Sequence, residues 1–168
     1  MLKLKEYKYG LRQKKKRSKQ GNVNAQTSLS KMYHFGSKDG PPMTIPVDPQ
    51  LSFRWSLAAA KQGDVNSMES VGYYYHAGSG VEQNDEASFE WFTKAAIQGK
   101  EGAQIYLGIF YEKGRGCEID LVQAIFWYQK SAAQGVQQAI DAVERLNHNQ
   151  DTNGLFGETI VEKGSRRE

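Results

Sequence analysis

Few side chains in this 168-residue chain carry reactive chemistry: there are three histidines and one cysteine. His34, His76 and Glu112 occupy equivalent places in successive segments, which raises the question of a metal ion. Helices bearing equivalent places pack about 8–10 Å apart, whereas zinc ligands lie about 2.0–2.2 Å from the ion. Two of these side chains can lean together; three across that span cannot. They read as solvated surface, and no metal is expected. Cys117 is the lone thiol, so it supports neither an intramolecular disulfide nor a cysteine zinc site. A free cysteine of this kind packs as a small hydrophobe. His148 lies in a polar tail. Nothing resembles a nucleophile elbow or a phosphate loop. The expectation is no catalytic residue, no cofactor and no enzymatic activity.

The other chemistry is charge. Lys14, Lys15, Lys16, Arg17 and Lys19 form a run that can attract phosphates. Residues 1–20 hold nine Lys or Arg and one Glu while the whole chain is only +3, so the remainder is net acidic. No aromatic residue interleaves the run. It supports weak electrostatic contact with nucleic acid at most, and a solvated cap or arm is the favoured reading. No stretch approaches the ~20 apolar residues of a membrane span. The start has no apolar signal region or small-residue cleavage site. With a single cysteine, these features point to a soluble, cytoplasmic protein without membrane association.

The elements that position these groups are set by a repeat. A shift of 36 residues superposes Gly72 on Gly108, Tyr75 on Tyr111, Gly78 on Gly114 and Gly80 on Gly116. It continues with Trp91 on Trp127, Ala96 on Ala132 and Gly99 on Gly135, and backwards with Trp55 on Trp91 and Gly63 on Gly99. The units run 22–63, 64–99 and 100–135, with a half-unit at 136–146. The first is longer by six residues in its middle. There GSKDGPPMTIPVDPQ holds all four prolines and reads as an enlarged loop. Ala103, Leu107, Phe110 and Tyr111 mark one helical stripe. A second helix over about 120–133 carries Ala124, Trp127, Tyr128 and Ala132 on one face and stops at Gly135. One helix pair cannot bury both sides of such stripes; stacked pairs can. Gly72 and Gly108, inside helices, imply close approach of the second helix, with Ala95, Ala96, Ala132 and Ala133 at the same contact. The tryptophans would fill the space between units.

The run LGIFYEKGRGCEIDLVQAIFWYQKSAAQG at 107–135 resembles the Sel1-like repeat, a relative of the tetratricopeptide repeat. Ala103, Leu107, Gly108, Tyr111, Gly114, Gly116, Asp120, Ala124, Trp127, Tyr128, Lys130, Ala132 and Gly135 match its hallmark. Cys117 stands where the family has Val, Ser67 where it has Ala, and Ser30 where it has Gly; these read as drift in packing. The resemblance covers about 22–146. It implies an all-α, right-handed α-solenoid of stacked antiparallel helix pairs. Residues 1–21 read as a basic arm or a degenerate capping half-repeat, because LRQKKKRSKQG aligns with FRWSLAAAKQG at 53–63. Residues 147–168 form a polar tail, apolar only in LFGETIV at 155–161.

The resemblance also implies a non-enzymatic bacterial adaptor or scaffold that binds another protein on its concave face. The first helix of each unit lines that face, and positions 105, 109 and 112 point away from the buried stripe. The equivalent columns are Thr27, Glu69, Ile105 and Asp141; Lys31, Tyr73, Ile109 and Arg145; and His34, His76 and Glu112. The expected partner-binding residues are Tyr73, Tyr74, Ile105, Tyr106, Ile109, Glu69, Lys31 and Arg145, with Tyr74 and Tyr106 at the edge. The competing reading packs Ile105 and Ile109 on the neighbouring helix. Two other functions stay open. One is an immunity protein neutralising a cognate bacterial toxin. The other is a regulator contacting nucleic acid through its basic arm.

Overall fold

Asn or Asp opens most of the helices. Asn22, Asp48, Asp64, Asn84 and Asp120 each accept a hydrogen bond, at 2.8–2.9 Å, from the backbone N–H three residues on. This satisfies a donor the helix itself leaves unpaired. A computed structural model of the chain describes residues 2–36 and 45–148, with the backbone alone for 2–7. Its elements are α1 (Leu2–Lys19), α2 (Val23–Phe35), α3 (Pro49–Ala60), α4 (Val65–Ala77), α5 (Asp85–Ile97), α6 (Glu101–Lys113) and α7 (Leu121–Ala132). A further helix, α8, spans 137–148. The pairs α2/α3, α4/α5 and α6/α7 are the units, stacked through α3 on α4 and α5 on α6. The fold is an all-α solenoid of antiparallel helix pairs.

Most of the enlarged loop of the first unit lies outside the described residues, as does the tail from 149. Pro49, assigned to that loop from sequence, instead opens α3. Proline suits the first helical turn because that position has no intrahelical use for an N–H.

The described part of the basic segment is helical. α1 joins α2 through the turn that joins α3 to α4 and α5 to α6. Asn22 N–H donates to Arg17 O, Asp64 to Ala59 O and Lys100 to Ala95 O, at 3.1–3.2 Å. Each turn carries a left-handed glycine, Gly21, Gly63 or Gly99. The Gln26 side chain reaches back to Ser18 O at 3.0 Å, as Gln104 reaches Ala96 O at 3.2 Å. Toward α2, α1 thus stands where α5 stands toward α6.

The core follows the repeat. Phe92 and Phe110 are its largest fully buried side chains, each stabilising by about 1.5–3 kcal/mol through burial. A methyl on Gly72 would stand 2.8 Å from the Phe92 ring, and one on Gly108 2.5 Å from the Tyr128 ring. These glycines make room for an aromatic ring from the second helix. The first unit solves the same contact differently. Ser30 replaces the glycine, Ser56 replaces the ring, and their hydroxyls lie 2.6 Å apart. Ser30 is therefore half of a paired exchange rather than drift. Ser52 donates to Ser30 O and Ser88 to Gly72 O, at 2.8 and 2.7 Å, pinning second helix to first.

Two packing assignments change. Ala133 is exposed, because it aligns with exposed Ile97 rather than with buried Ala95. Ser131 takes the buried place and donates to Glu101 O at 3.1 Å. The tryptophans are only partly buried; Trp91 and Trp127 flank the Phe92–Phe110 cluster. In α8, exposed Glu144 stands at the position of Gly72 and Gly108, so no ring can press there as it does in the second and third units.

Candidate functional site

The first helices α2, α4, α6 and α8 line one side of the stack. Between them lies a groove of about 750 Å³. Lys31, Glu69, Tyr73, Tyr74, Ile105, Tyr106 and Ile109 all contribute to its wall. Arg145 does not. It lines a neighbouring hollow of about 450 Å³, which Ile109 and Gln138 share with the groove.

An aromatic stack forms the floor. Phe92, fully buried, carries Tyr106 stacked on it at 4.6 Å between ring centroids. Tyr73 meets Tyr106 edge-on at 5.1 Å. Burial first, then the hydrogen bond and charge of Tyr73, push the Tyr106 phenol above its ordinary value. Tyr73 itself is 49% exposed. It presents its ring to solvent from a rigid seat, which lowers the entropy lost when a partner covers it.

Several expected wall residues are committed elsewhere. Ile105 is 8% exposed and packs with Ala124, Tyr128, Ala139 and Leu146. Its column faces the next first helix, not open solvent. For the same reason Glu69 reaches α6. Its carboxylate faces the first turn of α6, filling the place of a Gly102 side chain, and Lys100 Nζ sits 3.6 Å from Glu69 Oε2. Alone among α2–α7, α6 starts at a residue without a capping side-chain bond, Lys100, and Glu69 supplies the missing acceptor from the preceding unit. Burial pushes the Glu69 carboxyl up, against the pull of Lys100.

Tyr74 is buried rather than at the edge. Its hydroxyl lies within hydrogen-bond distance of Ser52 Oγ and of His34 Nδ1, the latter at 3.0 Å. The small side chains of the first unit leave the space for it. Tyr106 and Ile109 are half-buried, and Lys31 is exposed.

The His34–His76–Glu112 column does not converge. His34 bonds Tyr74. His76 Nδ1 sits 3.1 Å from Asp85 Oδ1. Glu112 Oε2 accepts from Tyr128 Oη at 2.9 Å and from Arg145 at 2.8 Å. Among the described residues no three metal-ligating side chains come together. Burial alone would raise the Glu112 carboxyl, but the hydrogen bonds of Arg145 and Tyr128 outweigh it and hold the group below its ordinary value. Burial pushes the Cys117 thiol up, and Asp120 adds to that; neither favours a thiolate.

Phe35 was not among the expected wall residues, yet it lines the groove beside His34, whose column was expected there. Phe35 is exposed and meets His34 edge-on at 4.6 Å. The signal was present as an apolar residue off the buried stripe at the end of α2. In the basic run, Lys14 Nζ points to Met32 Sδ and Lys15 Nζ lies over the Tyr33 ring. Lys16, Arg17 and Lys19 of α1 are exposed. No described helix is long and apolar enough to cross a membrane.

The model of the Sel1 repeat matches residues 23–64, 65–100 and 102–136. The chain is similar to a Sel1 repeat protein from Oxalobacter formigenes, at 35% identity and TM-score 0.68 over 81% of this chain and 98% of that one. It is also similar to c5321, a protective antigen of uropathogenic Escherichia coli with an SLR fold, at 30% identity and TM-score 0.71. That match covers 79% of this chain and 27% of the longer antigen. The Helicobacter pylori cysteine rich protein B shares the fold at 20% identity and TM-score 0.53, over 55% of this chain and 70% of that one. Among curated proteins none matches significantly.

Proposed function

The chain belongs to the Sel1 repeat family, and from that premise we propose that it is an adaptor whose concave groove holds a segment of a partner protein. Sel1 repeat proteins generally mediate protein–protein interaction and are typically non-enzymatic scaffolds. The observation that carries the finer reading is the Tyr73–Tyr106–Phe92 stack, which seats a half-exposed ring over a mostly apolar groove. Aromatic residues seated this way are favoured as binding anchors. Phe35 and Ile109 extend the apolar wall, and Lys31 sets a positive charge beside it. A partner segment with apolar or aromatic side chains and an acidic residue fits this lining. The test is affinity capture from the source cell with Tyr73→Ala/Ile109→Ala against the unaltered chain. Loss of one reproducible partner from the variant supports the site, and equal recovery removes it.

A second reading rests on Lys16, Arg17 and Lys19, which form an exposed basic edge on α1. Contact with a nucleic-acid backbone through that edge leaves the groove free. Salt dependence separates it from a protein partner.

A further inference from the structure

The two ends of the stack carry unmatched helices of opposite kind. α1 stands toward α2 as α5 stands toward α6, so it is a second helix. Among the described residues no first helix of its own pairs with it. α8 is the converse. Ala139 and Leu146 cluster with Tyr128 as Ala103 and Phe110 cluster with Phe92, so α8 is a first helix. No second helix follows it among the described residues.

Inside the chain one mid-helix contact recurs between the two helices of a unit. Gly72 admits Phe92, Gly108 admits Tyr128, and Ser30 bonds Ser56 at 2.6 Å. Each pair is complementary. The first-helix residue left over at this position is Glu144 of α8. On α1 the position falls on Lys14, because the turn bond to Arg17 O corresponds to those to Ala59 O and Ala95 O. The side chain obeys the same equivalence. Lys14 Nζ reaches Met32 Sδ at 3.6 Å, as the Phe92 ring meets Phe110, and Met32 stands where Phe110 does. A thioether is a weak acceptor, so the ammonium is poorly matched. Glu144 is exposed, and neither residue forms an ion pair among the described residues. The leftover pair therefore consists of opposite charges.

We propose that a second copy of the chain supplies the missing helix: α1 of one copy docks on α8 of the next, head to tail, with Lys14 against Glu144. The joint is looser than the contacts inside the chain. Arg17 stands where Ala59, Ala95 and Ser131 are buried, and Gln13 where Trp55 and Trp91 pack against the core. The contact is polar, so the association is weak and screened by salt. Its two surfaces differ, so it builds a ring or an open row of copies rather than an isologous pair. The wall of first helices then runs on across the joint. The joint lies at the ends of the stack, so it forms whether or not the groove holds a partner.

The experiment is sedimentation velocity on the full, nuclease-treated chain at low and high salt. The dilution series reaches about 100 µM, enough to populate micromolar contacts. At low salt the mass is expected to rise above 18.9 kDa with concentration, and high salt should return it to that value. Lys14→Glu and Glu144→Lys should each give the monomer with the helical spectrum intact. Mixed together, the two variants should associate again, because each then meets an opposite charge at both ends. The double variant should associate by itself. A monomer at every concentration overturns the proposal. Association indifferent to both single variants, or variants that stay monomeric on mixing, overturns it as well. Association that appears only after Leu155→Glu/Phe156→Glu also overturns it, assigning the α8 face to the chain's own tail. None of these outcomes bears on partner capture by the groove, whose Tyr73 and Ile109 stay unaltered throughout.

Discussion

Glu69 of α4 occupies the space that a side chain on Gly102 of α6 would need. The glycine thus admits a cap that comes from the neighbouring unit, joining local helix chemistry to the stacking of repeats. Gly102→Ala should displace the carboxylate and cost about 0.5–2 kcal/mol, the usual worth of a helix cap. In a Glu69→Ala background the same change should be neutral or stabilising by up to about 1 kcal/mol, because alanine is the better helix former. Urea unfolding of the four proteins measures the coupling. Additive effects would show that the cap contributes nothing.

The exchange of Ser30 and Ser56 for Gly72 and Phe92 makes a second prediction. Ser56→Phe alone forces a ring against Ser30 and should destabilise by about 1–3 kcal/mol, the range for an overpacked core. Adding Ser30→Gly removes the obstruction and should recover most of the loss. Thermal unfolding checks this, and a double variant no better than the single would contradict it.

Glu112 gives a pH dependence with a definite sign. Its folded value lies below the ordinary 4.5, so the folded chain binds fewer protons there than the unfolded chain. The stability this contributes is fully present above about 4.5 and is lost as pH falls through the depressed folded value. The stability gap between the unaltered chain and Glu112→Gln should therefore narrow as pH falls below that point. Denaturant midpoints at several acidic pH values measure it, and a gap that widens would reverse the assignment.

The arrangement of Trp, Gly and Ala at a 36-residue spacing was enough to place the helices, because the constraint is local. A gap left by Gly72 or Gly108 has meaning only if a second helix presses into it. The groove was less legible. A helical wheel for one helix puts Ile105 and Glu69 on an open face. It omits the next first helix, which covers Ile105 and receives the Glu69 carboxylate. Tyr74 went inward because Ser30 and Ser52, two small residues distant in sequence, leave a polar niche for its hydroxyl. Phe35 was passed over because the stripe beneath it ends where the longest connection begins. For Ile105, Glu69 and Tyr74 the deciding neighbour came from another unit.

The basic edge of α1 is tested by salt. If Lys16, Arg17 and Lys19 contact a phosphate backbone, replacing all three by Ala should flatten the dependence of log K on log salt by about 2–3, at roughly 0.9 per contact on duplex DNA. Titration of a labelled oligonucleotide at several salt concentrations reads the slope. An unchanged slope excludes this edge.

The most direct test of the groove places a photo-crosslinking residue at Tyr73 and, separately, at exposed Ile97 on the end of a second helix. If the concave face holds the partner, position 73 should yield one dominant adduct, and Ile109→Ala should suppress it. Position 97 should yield none. Equal labelling from both positions, or a 73 adduct indifferent to Ile109→Ala, would contradict the account.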